Sequence, residues 1–581
     1  MDKAGIVRIL DEMGTLLELQ GANPFKSRAF QNAARAVEGI TSDLGELIAS
    51  GELLEVRGVG KAISVIIKDL HATGASAEYR ELRRSFPDGV VQMLSIPGLG
   101  PKKVKAIYEK LKISSLEDLE KAIREDRVAE LDGFGKKTQD NILRGLQALR
   151  TRSDRVLYPK ARTSADRIFD DLRKERGVIR AEVAGSLRRR KEVIGDIDIV
   201  VSAKAKDCKR LMDVFVKHPD VTSIVAQGET KSSVVLEGGI NCDLRIVEDK
   251  EFAFALNYFT GSKEHNVEMR SRARKIGWSL NEYGFSNLDA EETRGKAKQV
   301  VQCKTESDLY KALGLRYVEP ELRENLGEIE AAENGKLPRL IEEKDIRGTF
   351  HCHTTYSDGA NSIEEMAKAA QALGWEYFGV ADHSKAAAYA RGLSDARVKE
   401  QVKEIDALNA RLKNFRLFKG TECDILPNGD LDWSEKTLSL FEYVVISVHS
   451  SFKMTEAEMT KRVIKALKHK RTTMLGHPTG RLLLSRDGYP VDMIKVIDAA
   501  SDYGKIIEIN SHPSRFDLDW RLCKYAREKE VMLAINPDAH SASSLSDVFF
   551  GVGIARKGWL EAKNVLNTRS AQEVTALFDR K

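Results

Sequence analysis

The stretch Ile194-Gly-Asp-Ile-Asp-Ile-Val-Val201 decides the fold of the middle part of this 581-residue chain. Its apolar, β-branched residues predict a strand, in which side chains two positions apart project from the same face. Asp196 and Asp198 are therefore expected on one face, and a second strand-like run, 241–247, carries Asp243 as a third carboxylate. Clustered carboxylate oxygens favour Mg²⁺. The pattern predicts a two-ion site that activates an attacking hydroxyl group and stabilises a leaving group.

A short polar loop precedes this strand. Gly185-Ser186-Leu187-Arg188-Arg189 supplies small residues, a hydroxyl group and guanidinium groups about ten residues before Asp196. Such groups suit triphosphate oxygens that must be held while the α-phosphorus is attacked. An Asp-x-Asp pair alone is more typical of a solvated strand edge. The loop and the third carboxylate together favour nucleotidyl transfer.

Residues 1–150 have helical periodicity, and a short glycine signal recurs three times within them. Gly58-Val-Gly60, Gly98-Leu-Gly100 and Gly133-Phe-Gly135 each follow an apolar helix end and precede a basic helix start, as at Lys102. Glycine lets another backbone approach, and a helix N-terminus offers free N–H groups to a phosphate. One such turn is more often a simple helix end. Three of them favour binding to a nucleic-acid backbone, in a helix-hairpin-helix pattern.

Histidines are concentrated in the C-terminal part, where eight of the eleven follow residue 350. They lie mainly where apolar strand-like runs end, and these runs alternate with helices as in an α/β barrel. Ligands that converge from strand ends are typical of barrel active sites, and mixed imidazole and carboxylate groups suit Zn²⁺, Mn²⁺ or Fe²⁺. His469 and His512 are interpreted as structural. The nine candidate ligands are His351, His353, Asp358, His383, Glu422, His449, His477, Asp538 and His540.

Composition excludes several classes of protein. A hydrophobic content of 42% and a charged content of 31% fit folded domains rather than a disordered chain. No apolar run approaches the roughly 20 residues of a membrane-spanning helix, and the first residues lack a signal-peptide core. Six cysteines without a Cys-x-x-Cys pair indicate reduced thiols, so a cytoplasmic location is expected. The net charge of +5 does not by itself indicate a nucleic-acid ligand.

The motifs of residues 1–318 resemble those of the family X DNA polymerases. The resemblance implies that Asp196 and Asp198 bridge two Mg²⁺ ions and that Asp243 is nearest the primer 3′-hydroxyl. Ile194 replaces the family's second triphosphate serine. Ile66 replaces the lysine that forms a Schiff base, so an efficient lyase activity is not expected. The nucleotide contacts implied by the resemblance are Gly185, Ser186, Arg189, Gly195, Tyr258, Phe259, Gly261, Asn266 and Arg270.

Residues 346–581 resemble the polymerase and histidinol phosphatase (PHP) family, and all nine positions of its trinuclear site are filled. The resemblance implies a distorted (β/α)7 barrel and metal-dependent phosphoester hydrolysis, supported by Mn²⁺ or Zn²⁺. In bacterial family X polymerases this domain is a 3′–5′ exonuclease, and an apurinic endonuclease activity is attributed to some members. Arg391, Lys453 and Arg481 are candidate phosphate contacts, although surface charge is the more ordinary explanation of each.

The sequence thus predicts a multidomain α+β and α/β protein that repairs short gaps in DNA. Gapped or primer–template DNA and deoxynucleoside triphosphates are the expected partners, without a membrane, and the protein is expected to be a monomer. Three alternatives remain: chiefly a PHP nuclease with a weak polymerase, a non-catalytic DNA-binding scaffold, or a small-molecule nucleotidyltransferase. The predicted parts are a helical DNA-binding domain (1–85), a helix-hairpin-helix subdomain (86–150), a nucleotidyltransferase palm (151–255), a nascent-base-pair subdomain (256–318), an acidic linker (319–345) and a PHP domain (346–581).

Overall fold

The chain forms two compact units, Met1–Ser153 and Asp154–Lys581. None of the helices in the described part of the chain has the length and apolar character needed to cross a membrane. All six cysteines are free thiols, as the sequence predicts. The computed structural model describes residues 1, 3–38, 44–56, 58–94, 96, 99–153, 155–287 and 300–579.

The first unit consists of amphipathic helices around one hydrophobic core. Leu10, Ile67 and Val104 come from three different helices and are fully buried in this core. The predicted division at residues 85 and 86 therefore does not separate two cores. The α-helices are α1 (Lys3–Gln20), α2 (Pro24–Glu38), α3 (Leu44–Ser50), α4 (Lys61–Thr73), α5 (Ala77–Arg84), α6 (Asp88–Met93), α7 (Pro101–Leu111), α8 (Leu116–Arg124) and α9 (Gly135–Ser153).

The second unit begins with a palm built on a five-stranded mixed sheet. Its strand order is β2-β4-β7-β6-β5, in which β4 and β7 are parallel neighbours. The short strands β1 and β3 pair separately. The palm elements are β1 (Val156–Leu157), α10 (Tyr158–Leu172), β2 (Val178–Val183), α11 (Gly185–Arg188), β3 (Val193–Ile194), β4 (Asp196–Ala203), α12 (Ala205–Val216), β5 (Val221–Gln227), β6 (Lys231–Leu236) and β7 (Asn241–Val247).

A mainly helical part follows the palm and includes the segment predicted as a linker. Leu322 and Ile329 of that segment are buried in one core with Leu309. The Arg323 guanidinium is fully buried, 2.6 Å from Glu306. Residues of the predicted acidic linker, 319–345, therefore contribute to this folded core. The elements are α13 (Phe252–Thr260), α14 (Lys263–Lys275), β8 (Trp278–Asn281), β9 (Gly284–Asn287), α15 (Glu306–Ala312) and α16 (Glu328–Glu333).

The C-terminal part is a nearly closed barrel of seven parallel strands in sequential order, which confirms the predicted (β/α)7 fold. A bridge between Cys352 and Ala539 joins its two ends. Strands predicted around Gly379, Tyr443 and Ile506 are present. The elements are β10 (Gly348–Thr349), α17 (Ile363–Ala372), β11 (Tyr377–Val380), α18 (Asp395–Asn409), β12 (Arg416–Asp424), α19 (Glu435–Leu438), β13 (Tyr443–Ser447), α20 (Glu456–Leu467), β14 (Met474–Leu475), α21 (Met493–Asp502), β15 (Ile506–Asn510), α22 (Trp520–Glu528), β16 (Leu533–Asn536), α23 (Val548–Lys557) and α24 (Ala571–Phe578).

An aromatic cluster fills one end of the barrel. The Phe350 ring centre lies 5.2 Å from that of Tyr377, 5.4 Å from that of Tyr443 and 5.5 Å from that of Phe578. We expect Phe350→Ala to lower the free energy of unfolding by about 3–5 kcal/mol, because a fully buried ring leaves a cavity. Denaturant unfolding measures this change. Leu373→Ala, at a partly exposed barrel position, is the control and should change it by less than about 1 kcal/mol; equal losses would contradict the prediction.

Two candidate metal centres and a nucleic-acid-binding region

Three aspartates lie near the beginnings of two neighbouring interior strands of the palm sheet. The register of the parallel strands β4 and β7 aligns Asp198 directly with Asp243. Asp196 lies two residues before Asp198, on the same face of β4. The Lys231 Nζ, from β6, lies 2.8 Å from an Asp243 carboxylate oxygen. The structure therefore brings the three predicted ligands to neighbouring strand positions, and it adds a lysine that no sequence pattern indicated.

The pKa of Asp198 reflects the electrostatic cost of gathering these carboxylates. Burial, followed by repulsion from Asp196 and Asp243, raises the pKa of Asp198 to about 7. A divalent cation would supply the opposing charge, so the three residues fit such an ion chemically. Among the described residues, groups of three or more potential ligands within 4.8 Å of one another are found only in the barrel. The palm carboxylates are thus less tightly drawn together than the barrel ligands.

The loop before β4 reaches Asp198 through its backbone. The Ala184 N–H donates to the Asp198 carbonyl oxygen at 2.8 Å. Gly185, which begins α11, has a φ of +62°, and a Cβ added there would lie 2.3 Å from Asp198 Oδ2. Glycine is therefore required for this close approach. Ser186 is half-buried in the same short helix, and Gly195 separates β3 from β4.

We expect Gly185→Ala to reduce nucleotide incorporation at least about tenfold, because the new methyl group would displace the Asp198 carboxylate and strain the backbone. Steady-state incorporation on gapped DNA measures the effect. Gly239→Ala is a matched control, since Gly239 also has a positive φ of +83° but faces open space among the described residues. If both variants incorporated nucleotides equally well, the contact with Asp198 would be unimportant.

Arg189 points toward the turn between α13 and α14. Its Nε donates to Glu324 Oε1 at 3.0 Å, and its Nη1 donates to the Thr260 carbonyl oxygen. A Cβ added at Gly261 would lie 3.1 Å from Arg189 Nη1. Two predicted nucleotide contacts, Arg189 and Gly261, are therefore adjacent. The pairing of Arg189 with Glu324 could not be read from the sequence.

The remaining predicted nucleotide contacts lie on α13 and α14. The Asn266 Nδ2 donates to the Tyr258 carbonyl oxygen at 2.7 Å, and the Arg270 Nε donates to the Asn266 carbonyl oxygen at 3.3 Å. The Arg245 guanidinium, from β7, lies 4.2 Å from the centre of the Phe259 ring. This part of the site therefore adjoins the strand that carries the third aspartate.

The nine predicted barrel ligands converge where the strands end. They form four groups whose potential ligand atoms lie within 4.8 Å of one another, and four residues belong to two groups each. Every predicted ligand is included, so the groups connect into one cluster. The groups are His353, Asp358, His383 and His540; His351, His353 and Asp538; His351, Glu422 and His477; and His383, Glu422 and His449.

Glu422 lies at the centre of this cluster. One carboxylate oxygen lies 2.9 Å from His383 Nδ1 and 3.3 Å from His351 Nε2. The other lies 2.9 Å from His477 Nε2 and 3.2 Å from His449 Nε2. Burial alone would raise the pKa of Glu422, but the surrounding imidazoles hold it well below its usual value. A carboxylate in this position can bridge two cations.

Several buried polar atoms of the cluster lack a hydrogen-bond partner within the described structure. Among them are His351 Nε2, His353 Nδ1, His383 Nδ1 and Glu422 Oε2; the 2.9 Å approach of His383 Nδ1 to Glu422 Oε2 does not have hydrogen-bond geometry. Buried polar atoms in folded proteins are nearly always hydrogen-bonded. Coordination to a metal ion would satisfy these atoms, and a mixture of imidazole and carboxylate groups fits Mn²⁺ or Zn²⁺.

Glu508 contacts two of the candidate ligands, His351 and His477. It lies 2.7 Å from His351 Nδ1 and accepts a hydrogen bond from the His477 N–H at 2.9 Å. A carboxylate behind a ligating imidazole fixes the ring orientation and raises its basicity. Sequence reasoning missed Glu508, although a lone acid within the apolar run 506–510 is a usable signal.

The candidate phosphate contacts of the barrel fall in different places. Arg391 and Lys453 are exposed. Arg481 is engaged instead with Asp519 at 2.9 Å and with the Arg515 carbonyl oxygen. The Arg515 side chain itself lies 3.4 Å from Asp538. The structure therefore brings Arg515, which the sequence did not indicate, to the ligand cluster.

The glycine turns of the first unit precede helices as predicted. Helices α4, α7 and α9 begin at the three turns. An added Cβ at Gly60, Gly100, Gly133 or Gly135 would meet no described atom within 4 Å, so these turns face open space. Gly98 lies outside the described residues. The exposed turn residues are Gly58, Gly60, Gly100, Lys102, Gly133 and Gly135.

Family models match most of this architecture. A helix-hairpin-helix domain matches residues 1–76, and a SAM-like helix-hairpin-helix tandem matches 90–148. A DNA polymerase beta thumb matches 255–324, and a PHP domain matches 349–512. The thumb match lies directly after the palm strands that carry the aspartates.

Curated relatives resemble the chain over its full length or over parts. DNA polymerase/3′-5′ exonuclease PolX of Bacillus subtilis is 38% identical over 582 residues, covering 100% of both chains. DNA polymerase lambda of Rattus norvegicus is 25% identical over 55% of this chain and 56% of its own length. A probable phosphatase of Acetivibrio thermocellus is 32% identical over 33% of this chain and 78% of its own.

Proposed function

Because the chain belongs to the family X DNA polymerases that carry a PHP domain, we propose that its two carboxylate-bearing centres divide DNA synthesis and DNA hydrolysis between them. The protein is a DNA polymerase with a 3′–5′ exonuclease. The observation that carries the division is the presence of two separate ligand sets, three aspartates on palm strands and nine residues at the barrel strand ends.

In the palm, Asp196, Asp198 and Asp243 would hold Mg²⁺. The ions, when bound, stabilise charge on the attacking and leaving oxygens of an in-line displacement. The loop that contains Ser186 and Arg189 would hold the triphosphate of the incoming deoxynucleotide, since a hydroxyl and a guanidinium suit its oxygens. The predicted contacts on α13 and α14 would position the nucleotide's sugar and base.

In the barrel, the nine ligands would hold Mn²⁺ or Zn²⁺. These ions, when bound, neutralise charge on a phosphodiester and lower the pKa of water. Glu508 orients His351, and the Arg515 guanidinium beside Asp538 is placed to attract a phosphate. The substrate is the 3′ end of a DNA strand, and we extend the same chemistry to cleavage at abasic sites.

The open glycine turns support binding of gapped or primer–template DNA through its phosphate backbone. Filling of short gaps during base excision repair, by a cytoplasmic monomer, is the role we assign. Ile66 is buried in the first unit's core, so a Schiff-base lyase step has no nucleophile at that position.

A second candidate is a protein that is chiefly a nuclease with a weak polymerase. It is favoured by the closer gathering of the barrel ligands than of the palm aspartates. One assay separates the two: a one-nucleotide-gapped duplex with labelled deoxynucleotides, with and without a 5′-phosphate, in Mg²⁺ and then in Mn²⁺. We expect extension in Mg²⁺ and 3′-end shortening in Mn²⁺. Shortening without extension in either metal would support the nuclease. If neither extension nor shortening is seen, a DNA-binding scaffold is the remaining alternative.

A further inference from the structure

The polymerase part and the barrel meet in a cluster of buried charges beside the phosphate loop (residues 185–191). Lys557, the last residue of α23 in the barrel, is fully buried. Its Nζ lies 2.5 Å from Glu324 Oε1 and donates to the Arg189 carbonyl oxygen at 3.1 Å. The centre of the Trp520 ring lies 4.6 Å from the same Nζ. A barrel side chain therefore touches the backbone of an arginine assigned to triphosphate binding.

Glu324 faces more cations than its single charge can neutralise. Arg189 Nε and Lys557 Nζ approach the same oxygen, Oε1, at 3.0 and 2.5 Å, and Lys191 Nζ lies 3.6 Å from Oε2. Burial alone would raise the pKa of Glu324, but these cations lower it to about 2, so the carboxylate is ionised. Three cations therefore approach the single negative charge of Glu324.

Lys557 and Arg189 therefore compete for one acceptor. A buried ion pair between an arginine and a carboxylate holds the guanidinium in place and opposes its transfer to another anion. A second cation on the same oxygen weakens that hold. The neighbouring Arg188 differs, because its partner Glu306 is shared with Arg323 from the polymerase part itself.

We propose that Lys557 is a positioning residue for nucleotide binding: by engaging Glu324 from the barrel side, it keeps the Arg189 guanidinium available to the triphosphate. This inference rests on the proposed function, in which Arg189 contacts the triphosphate. It gives the barrel a role in the nucleotide affinity of the polymerase centre that does not depend on the barrel's own metal ligands.

The first test is Lys557→Met in the full-length protein, with incorporation on one-nucleotide-gapped DNA. Without the lysine charge, Glu324 pairs more strongly with Arg189. KM for the deoxynucleotide is therefore expected to rise about tenfold while kcat changes less than about twofold. Exonuclease activity should equal that of the parent, which shows that the barrel is folded. Arg556→Met is the matched control, because Arg556 contacts Glu321 at 2.7 Å rather than Glu324, and its KM should stay unchanged.

The second test is the double variant Glu324→Gln/Lys557→Met. Removing the negative charge of Glu324 removes the ion pair that holds Arg189, so KM should return to within about twofold of the parent value. A lysine that merely supports the interface would leave the double variant as impaired as the single one, and that result would overturn the proposal. An unchanged KM in Lys557→Met would overturn it as well.

Arg189→Ala separates this inference from the proposed function. If KM does not rise in Arg189→Ala, the assigned triphosphate contact is wrong and the positioning role falls with it. If KM rises there but not in Lys557→Met, only the positioning role is wrong. Should Lys557→Met lose both activities through misfolding, Glu324→Gln alone decides: its KM is expected at or below the parent value, and a higher KM would overturn the proposal.

Discussion

Nucleotide incorporation by Asp243→Ala is expected to fall on the order of a thousandfold or more, with exonuclease activity retained. Asp243 lies directly opposite Asp198 in the parallel pair β4–β7 and bears the third carboxylate of the palm centre. Loss of a metal-binding carboxylate removes several kcal/mol of charge stabilisation in the transition state, and each 1.4 kcal/mol is about tenfold in rate. Single-turnover incorporation on gapped DNA with Mg²⁺ measures the loss.

Two controls show whether this loss is specific to the palm centre. Asp171→Ala removes an exposed carboxylate of helix α10. This variant should incorporate nucleotides like the parent. Shortening of a labelled primer in Mn²⁺ should be unchanged in Asp243→Ala, because the barrel ligands are a separate set. Residual incorporation within tenfold of the parent would show that Asp243 does not hold a catalytic ion.

The reciprocal variant, His353→Ala, is expected to lose exonuclease activity by a similar factor while retaining incorporation. His353 belongs to two of the four ligand groups, its side chain is fully buried, and its Nε2 lies 3.2 Å from Asp538. Its removal therefore disrupts both groups at once. Primer shortening in Mn²⁺ and the metal content of the purified protein are the two measurements, and both should fall.

A matched histidine outside the cluster provides the control for this variant. His469 pairs with Glu435 at 2.9 Å on the barrel surface, so His469→Ala should shorten primers and retain metal like the parent. If His353→Ala degraded a primer as fast as the parent, hydrolysis would have to be assigned elsewhere. If His353→Ala lost both incorporation and primer shortening, a general folding defect would be indicated.

The sequence by itself predicted most of the elements and which residues are candidate ligands. Apolar, β-branched runs predict strands such as 194–201, and carboxylates at positions i and i+2 of a strand must share a face. In a parallel barrel, residues that follow successive strands must meet at one end, so His353, His383 and His449 could be grouped without coordinates. The glycine turns were equally local signals.

Only the tertiary structure decided which charges pair across the chain. The acidic segment 319–345 has the composition of a linker, yet Glu321 and Glu324 pair with Arg556 and Lys557, more than 230 positions later in the sequence. The pairing of Glu508 with His351 likewise depends on tertiary packing. Periodicity reports which face of an element is buried, whereas the partner of a buried charge depends on how distant elements pack.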